Sequence, residues 1–232
     1  MAHNDFSADA PLELTSGSQE TQFRPTRRFS KKNVGAFQYR GLIGAMFLVP
    51  AGLLTQFSQP TILEGTWLNT TFDSFGWGAF FLGAFMRFWS TLYVGGRKCR
   101  TVVDQGPYSI CRNPLYLGSC LIAISVAFFL KSMTLSGAIG LAILGYALFI
   151  VPTEEKVLLE NLGEPYADYC RRVPRYFPRL SLFRTPERLE IAVKGLRLEA
   201  KRALVWIWLP ILCELMTRLR PQPWWPKFFP LS

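Results

Sequence analysis

Histidine is almost absent from this 232-residue chain: one occurs, at His3 in a polar leading segment. That near-absence excludes a Ser-His-Asp triad, histidine-ligated zinc and a histidine general base from the body of the protein. Cysteine is sparse too. Cys99, Cys111, Cys120, Cys170 and Cys213 show neither CxxC nor any other metal spacing, so no metal site is expected. Residues 1–22 lack the hydrophobic core of a signal peptide. No internal repeat is visible, and the segments near 59–72 and 131–133 are nearly free of charge, holding only Glu64 and Lys131.

Long apolar runs are what the chain does have. Half of its residues are hydrophobic, and they cluster in continuous stretches near 41–58, 73–95, 114–130 and 134–152, with a weaker one at 203–217. A bilayer crossing takes about 20 apolar residues. Four such runs are more than a soluble core of this size would use. The expected fold is therefore an all-α integral membrane protein with four to five transmembrane helices and a cytoplasm-facing pocket. The net charge of +10 alternates with these runs: Arg24, Arg27, Arg28, Lys31, Lys32 and Arg40 precede the first, and Arg97, Lys98, Arg100 and Arg112 separate the second and third. Such alternation follows the positive-inside rule. It assigns the basic charge to anionic lipid headgroups rather than to nucleic acid.

Four regions follow. Residues 1–40 read as a flexible tail and a basic, aromatic interfacial segment, and 41–95 as a transmembrane hairpin. Residues 96–180 hold two further spans, joined by a tight turn at Lys131-Ser132-Met133-Thr134, and the polar motifs. An amphipathic helix is expected after Pro152, broken at Gly163. Residues 181–232 read as an interfacial helix over 183–202, a fifth span or re-entrant helix over 203–217, and an aromatic anchor at Trp224, Trp225, Phe228 and Phe229.

Two polar blocks carry the chemistry. The first runs Gly106-Pro107-Tyr108 to Arg112-Asn113-Pro114-Leu115-Tyr116-Leu117-Gly118. Asn113-Pro114 reads as a helix start, with asparagine at the cap and proline in the first turn. Its free N–H groups and positive dipole end suit an anion. Arg112 and Tyr116 sit four apart and project near one another, while Gly106 and Tyr108 form a turn that brings backbone close to a ligand. A snorkelling arginine and an interfacial tyrosine also fit this pattern.

The second block opens at Glu154-Glu155. Two adjacent carboxylates at the end of an apolar span oppose the helix dipole and repel each other. A cationic ligand relieves both; so does pairing with Lys156 or Arg171. A site with carboxylates on one wall and N–H groups plus arginine on the other suits a zwitterion bearing an extra positive centre. S-adenosylmethionine has that form.

Together the blocks resemble the isoprenylcysteine carboxyl methyltransferase family and the related phospholipid methyltransferases. The resemblance covers roughly residues 102–180, including Gly163-Glu164-Pro165-Tyr166-Ala167-Asp168-Tyr169 and Arg172-Val173-Pro174. It implies S-adenosylmethionine in a cytoplasm-facing pocket and a lipophilic or prenylated acceptor that arrives from the bilayer. By position, Gly106, Tyr108, Asn113, Pro114, Tyr116, Gly118 and Glu154 or Glu155 would bind the cofactor. Arg112, Arg171 and Arg172 would act on the acceptor, first of all the carboxylate of an isoprenylcysteine-like substrate. Phospholipid amine methylation and a non-catalytic relic of the fold are the alternatives. One departure stands out: the family's motif histidine is Asn113 here, which donates a hydrogen bond but does not titrate near neutrality.

Overall fold

The computed structural model describes residues 49–57, 66–94, 101–189, 191, 193–226 and 228. The expected tail and interfacial segment of residues 1–40 lie outside this set. Among the described residues, every regular element is helical. The helices are α1 (described over 49–56), α2 (Trp67–Val94), α3 (Pro107–Ile110), α4 (Pro114–Leu130), α5 (Met133–Gly145), α6 (Val151–Leu162), α7 (Glu164–Arg172), α8 (Val193–Trp206) and α9 (Trp208–Leu219).

Small residues bring α2 and α4 together. A Cβ on Gly83 would lie 2.8 Å from the Gly118 carbonyl, and a Cβ on Gly118 would lie 2.8 Å from the Gly83 carbonyl. The two backbones therefore touch, as helices do in an apolar medium when no side chain holds them apart. One turn pair further on, the Phe129 ring lies over Gly76, 2.8 Å from where a Cβ would stand.

The expected hairpin turn forms between α4 and α5. Lys131 adopts the left-handed conformation (φ 48°) and its N–H bonds the Ala127 carbonyl, while the Ser132 hydroxyl accepts from Leu135 N–H. These contacts end one helix and start the next. The Lys131 ammonium pairs with Asp73 near the start of α2, and Ser132 meets Thr55 of α1 at 2.9 Å.

Past the turn, the helix expected after Pro152 forms as α6 and ends at Gly163, but with no break from the span before it. Met133 to Leu162 is one continuous 30-residue helix. A five-residue π segment, Tyr146–Ile150, comes before Pro152. Its wider turn accommodates a ring that would clash in a regular α-helix. At ~1.5 Å per residue the helix is about 45 Å long, longer than a hydrocarbon layer of about 30 Å. It is the one helix among the described residues that is both long and apolar enough to cross a membrane; Pro114–Leu130 is apolar but shorter.

The C-terminal region also differs from expectation. Residues 183–189, around Pro186, are not helical, and α8 begins at Val193. It packs along α2, and α9 packs along α4. Thr217 and Arg220 donate to the carbonyls of Phe129 and Leu130, partnering the otherwise open C-terminus of α4. The aromatic tail closes α1: Trp225 Nε1 donates to the Gln56 carbonyl at 2.9 Å, and Phe228 N–H to that of Phe57. One end of the bundle thus gathers Lys131, Asp73 and the tail. The start of α4, α3, α6 and α7 gather at the other.

The α2–α4 contact is testable. Gly83→Ala is expected to destabilise the protein by about 1–3 kcal/mol, the usual cost of overpacking. Gly78→Ala, whose Cβ meets nothing within 4 Å, is expected to be harmless. Thermal unfolding of the detergent-purified variants measures both.

Candidate functional site

Glu155 is the centre of the end at which the two polar blocks meet. Its carboxylate is buried and accepts from Arg112 Nη1 at 3.2 Å, Asn113 Nδ2 at 3.0 Å, and Arg175 Nε and Nη2 at 2.9 and 2.8 Å. This clamp joins α6, the start of α4 and the segment after α7. A lone buried carboxylate would be costly; here two guanidinium groups and an amide offset that cost.

The backbone tightens the same junction. Arg112 N–H donates to the Pro174 carbonyl at 2.9 Å, Arg179 N–H to that of Ile110 at 2.9 Å, and Gly106 N–H to that of Arg184 at 2.7 Å. The Tyr169 hydroxyl donates to the Tyr108 carbonyl at 2.8 Å, which ties α7 to the α3 turn. Tyr166 and Tyr169 pack with Leu162 and Val173 as a small core.

Between these parts lies a cavity of about 100 Å³, walled by Tyr108, Arg112, Asn113, Tyr116, Glu154 and Tyr166, among others. It brings both blocks to one place, and the neighbouring glutamates take different parts. Glu154 lines the cavity, while Glu155 is held in the clamp behind it. Arg112 Nε is buried without a hydrogen-bond partner among the described residues, although its Nη1 is bound to Glu155. Burial raises the pKa of the Tyr108, Tyr166 and Tyr169 hydroxyls well above the ordinary value and also pushes the Cys111 thiol up. All four stay protonated at neutral pH.

Other expected residues are placed differently. Asn113 stands at the cap position of α4, but its side chain makes no cap. Its amide donates instead to Glu155 and to the Arg175 carbonyl at 3.3 Å. Pro114 is buried in the first turn and does not line the cavity. Gly118 is at the α2 crossing. Gly106 (φ 59°) lies against the Tyr93 ring, where a Cβ would come within 2.3 Å. Arg171 turns to the exposed face of α7 and pairs there with Glu164 and Asp168. Arg172 reaches Asp104 at 3.6 Å, also outside the cavity.

Two features escape a reading of the motifs. Arg175 lies just beyond Arg172-Val173-Pro174, and only the fold shows it closing the clamp. Arg87, the single basic residue in the second apolar run, meets Glu199 from 112 positions away. A charge inside an apolar run was the available signal for that pair.

The family profile described as phospholipid methyltransferase matches residues 61–165. A nickel-cobalt-cadmium resistance protein of Alcaligenes xylosoxydans xylosoxydans is 29% identical over 181 residues, which is 78% of this chain and 83% of that protein. A cobalt-zinc-cadmium resistance protein of Cupriavidus metallidurans is 36% identical over 121 residues, 52% of this chain and 56% of that one. Methanethiol S-methyltransferase 2 of Bradyrhizobium diazoefficiens is 36% identical over 111 residues, 47% of this chain and 38% of that protein. No solved structure matches. Among the described residues, no group of three or more His, Cys, Asp or Glu could hold a metal ion. Over residues 61–165 the chain is thus similar to the phospholipid methyltransferase family, which includes the isoprenylcysteine carboxyl methyltransferases.

Proposed function

We propose that this chain is a multi-pass membrane methyltransferase that binds S-adenosylmethionine at the cytoplasmic end of its bundle and acts on a lipophilic acceptor. In this reading α1, α2, α4 and the α5–α6 helix cross the bilayer, with α8–α9 as a fifth crossing. The observation that carries it is the cavity where Glu154 and the orphaned Arg112 Nε–H share a wall with tyrosines at the positive end of α4. Arg112 and the α4 terminus would take the cofactor carboxylate. Glu154 would face its cationic part. At about 100 Å³ the cavity is smaller than the ~300 Å³ of ordinary ligand pockets, so binding requires the walls to part.

When bound, the cofactor supplies a methyl group on a sulfonium, ready for in-line displacement. The chain's own task is alignment and exclusion of water. Proton abstraction has little provision here. Asn113 does not titrate, Glu155 is held by three side chains, and the tyrosines remain protonated. Glu154 is the one remaining carboxylate on the wall. An acceptor that is already anionic needs no base, so a carboxylate on a prenylcysteine-like molecule, or a thiolate, is favoured over a phospholipid amine. The relative named a methanethiol S-methyltransferase points to sulfur as an acceptor atom in that protein.

Calorimetric titration of the detergent-purified protein with S-adenosylmethionine and S-adenosylhomocysteine tests the proposal. Saturable binding is expected, and Glu154→Gln is expected to weaken it at least tenfold in protein that still unfolds cooperatively. An absence of binding in folded protein would favour the non-catalytic reading. Glu155→Gln is expected to act on the fold instead. Breaking a buried pair costs about 3–5 kcal/mol, and the partial exposure of Arg175 places this clamp toward the lower end. Asn113→His retains a donor towards Glu155 and is expected to keep cofactor affinity within about threefold, whereas Asn113→Leu loses it. An affinity unchanged by the leucine would remove Asn113 from the site.

A further inference from the structure

Arg87, in the interior of α2, is held from three directions. Its Nε donates to Glu199 at 2.8 Å, its Nη1 to the Ser119 hydroxyl on α4, and its guanidinium lies 4.3 Å from the Trp206 ring centroid. Glu199 is buried and also accepts from Arg202 at 3.2 Å. One carboxylate therefore serves two guanidinium groups, leaving this cluster with a net charge of +1. Charged side chains inside an apolar bundle are costly, and they commonly mark a pathway or a binding site.

The surroundings supply the space. Arg87 and Ser119 line a cavity of about 450 Å³ whose other walls, including Ile122, Val126 and Leu209, are almost wholly apolar. Ser119 also borders a second cavity, of about 270 Å³, between α4 and α5. There Ser119, Cys120 and Ala123 face Ile139, Ala142 and Ile143 at helical spacing, and their small members leave the gap open. Tyr116 closes this cavity towards the Glu154 site, which it lines as well. Its ring is 6.4 Å from that of Tyr146. The three cavities thus adjoin in series, sharing Tyr116 and Ser119 as walls between the proposed cofactor site and Arg87. Tyr108, on the wall of that site, feels the Arg87 charge.

We propose that Arg87 is the acceptor-orienting residue of this protein, and that the linked apolar cavities receive a singly charged anion on a hydrocarbon body, its head at Arg87 and Ser119. This rests on the methyl-transfer reading for the acceptor's role, not for binding itself. The arginines expected to do this work lie away from these cavities: Arg112 in the Glu155 clamp at the proposed cofactor site, Arg171 and Arg172 on exposed faces. The net positive charge selects against an amine head, since Glu199 is already shared by two arginines.

The full chain in detergent, titrated with 11-bromoundecanoate, tests this through bromine quenching of tryptophan emission, with Trp206→Phe assigning the signal. Saturable quenching is expected, displaced by dodecanoate and not by dodecylamine. Arg87→Gln should raise the apparent Kd at least tenfold, with helical content and a cooperative unfolding transition retained as evidence of folding, and Arg87→Lys should recover part of the loss. Glu199→Gln raises the net charge and should bind at least as tightly as the parent. Equal affinity in Arg87→Gln, displacement by dodecylamine, or equal loss in both Gln variants would overturn the proposal, the last by marking the pair as scaffold. Bromo-acid binding without cofactor binding would leave this site standing and sink the methyltransferase reading; the reverse result would do the opposite.

Discussion

A carboxylate removed from water must find donors or give up its charge, and Glu155 finds them on three residues from two separate segments of the chain. Arg112 and Asn113 come from the start of α4, and Arg175 comes from beyond α7. Because each bond is directional, the clamp sets where α6 begins relative to α4, and hence where the preceding residue, Glu154, is presented. The tyrosines of α7 and the α3 turn then assemble around that junction. The candidate site is a consequence of this buried charge and its partners.

The rest of the bundle relies on closeness rather than charge. Gly83 and Gly118 bring two backbones together, and the turn at Lys131 returns the chain along α4. Large apolar side chains such as Phe81, Phe85, Leu141, Phe149, Leu204 and Trp208 are left outside. A water-soluble protein would seldom expose so many; in lipid they are at home. Within this frame polar groups are few. Two buried cations are matched with carboxylates, Lys131 with Asp73 and Arg87 with Glu199.

Much of this was legible from local pattern. The bounds of α4 follow from Asn113-Pro114 and the end of an apolar run, and the hairpin turn follows from Lys131-Ser132. Convergence of the two polar blocks followed from the length of the hairpin between them. Local pattern failed where a long-range partner decides. Asn113 looks like a cap but donates to Glu155; Gly118 looks like part of a ligand motif but is the surface on which α2 rests. Arg171 is the local exception, for its own helix supplies carboxylates three and seven residues away. Pro152 looks like a boundary, and the π segment before it carries the helix through.

Sequence by itself determined the helical class, the paired motifs and their resemblance to the methyltransferase family, because apolar run length and motif order are properties of neighbouring residues. Only the tertiary structure decided which glutamate lines the cavity and which is bound away from it. It alone also revealed Arg175 in the clamp and Arg87 beside Glu199. The physical reason is the same in each case. Whether a charged side chain is free to meet a ligand depends on what partners surround it, and those partners arrive from segments dozens of residues away.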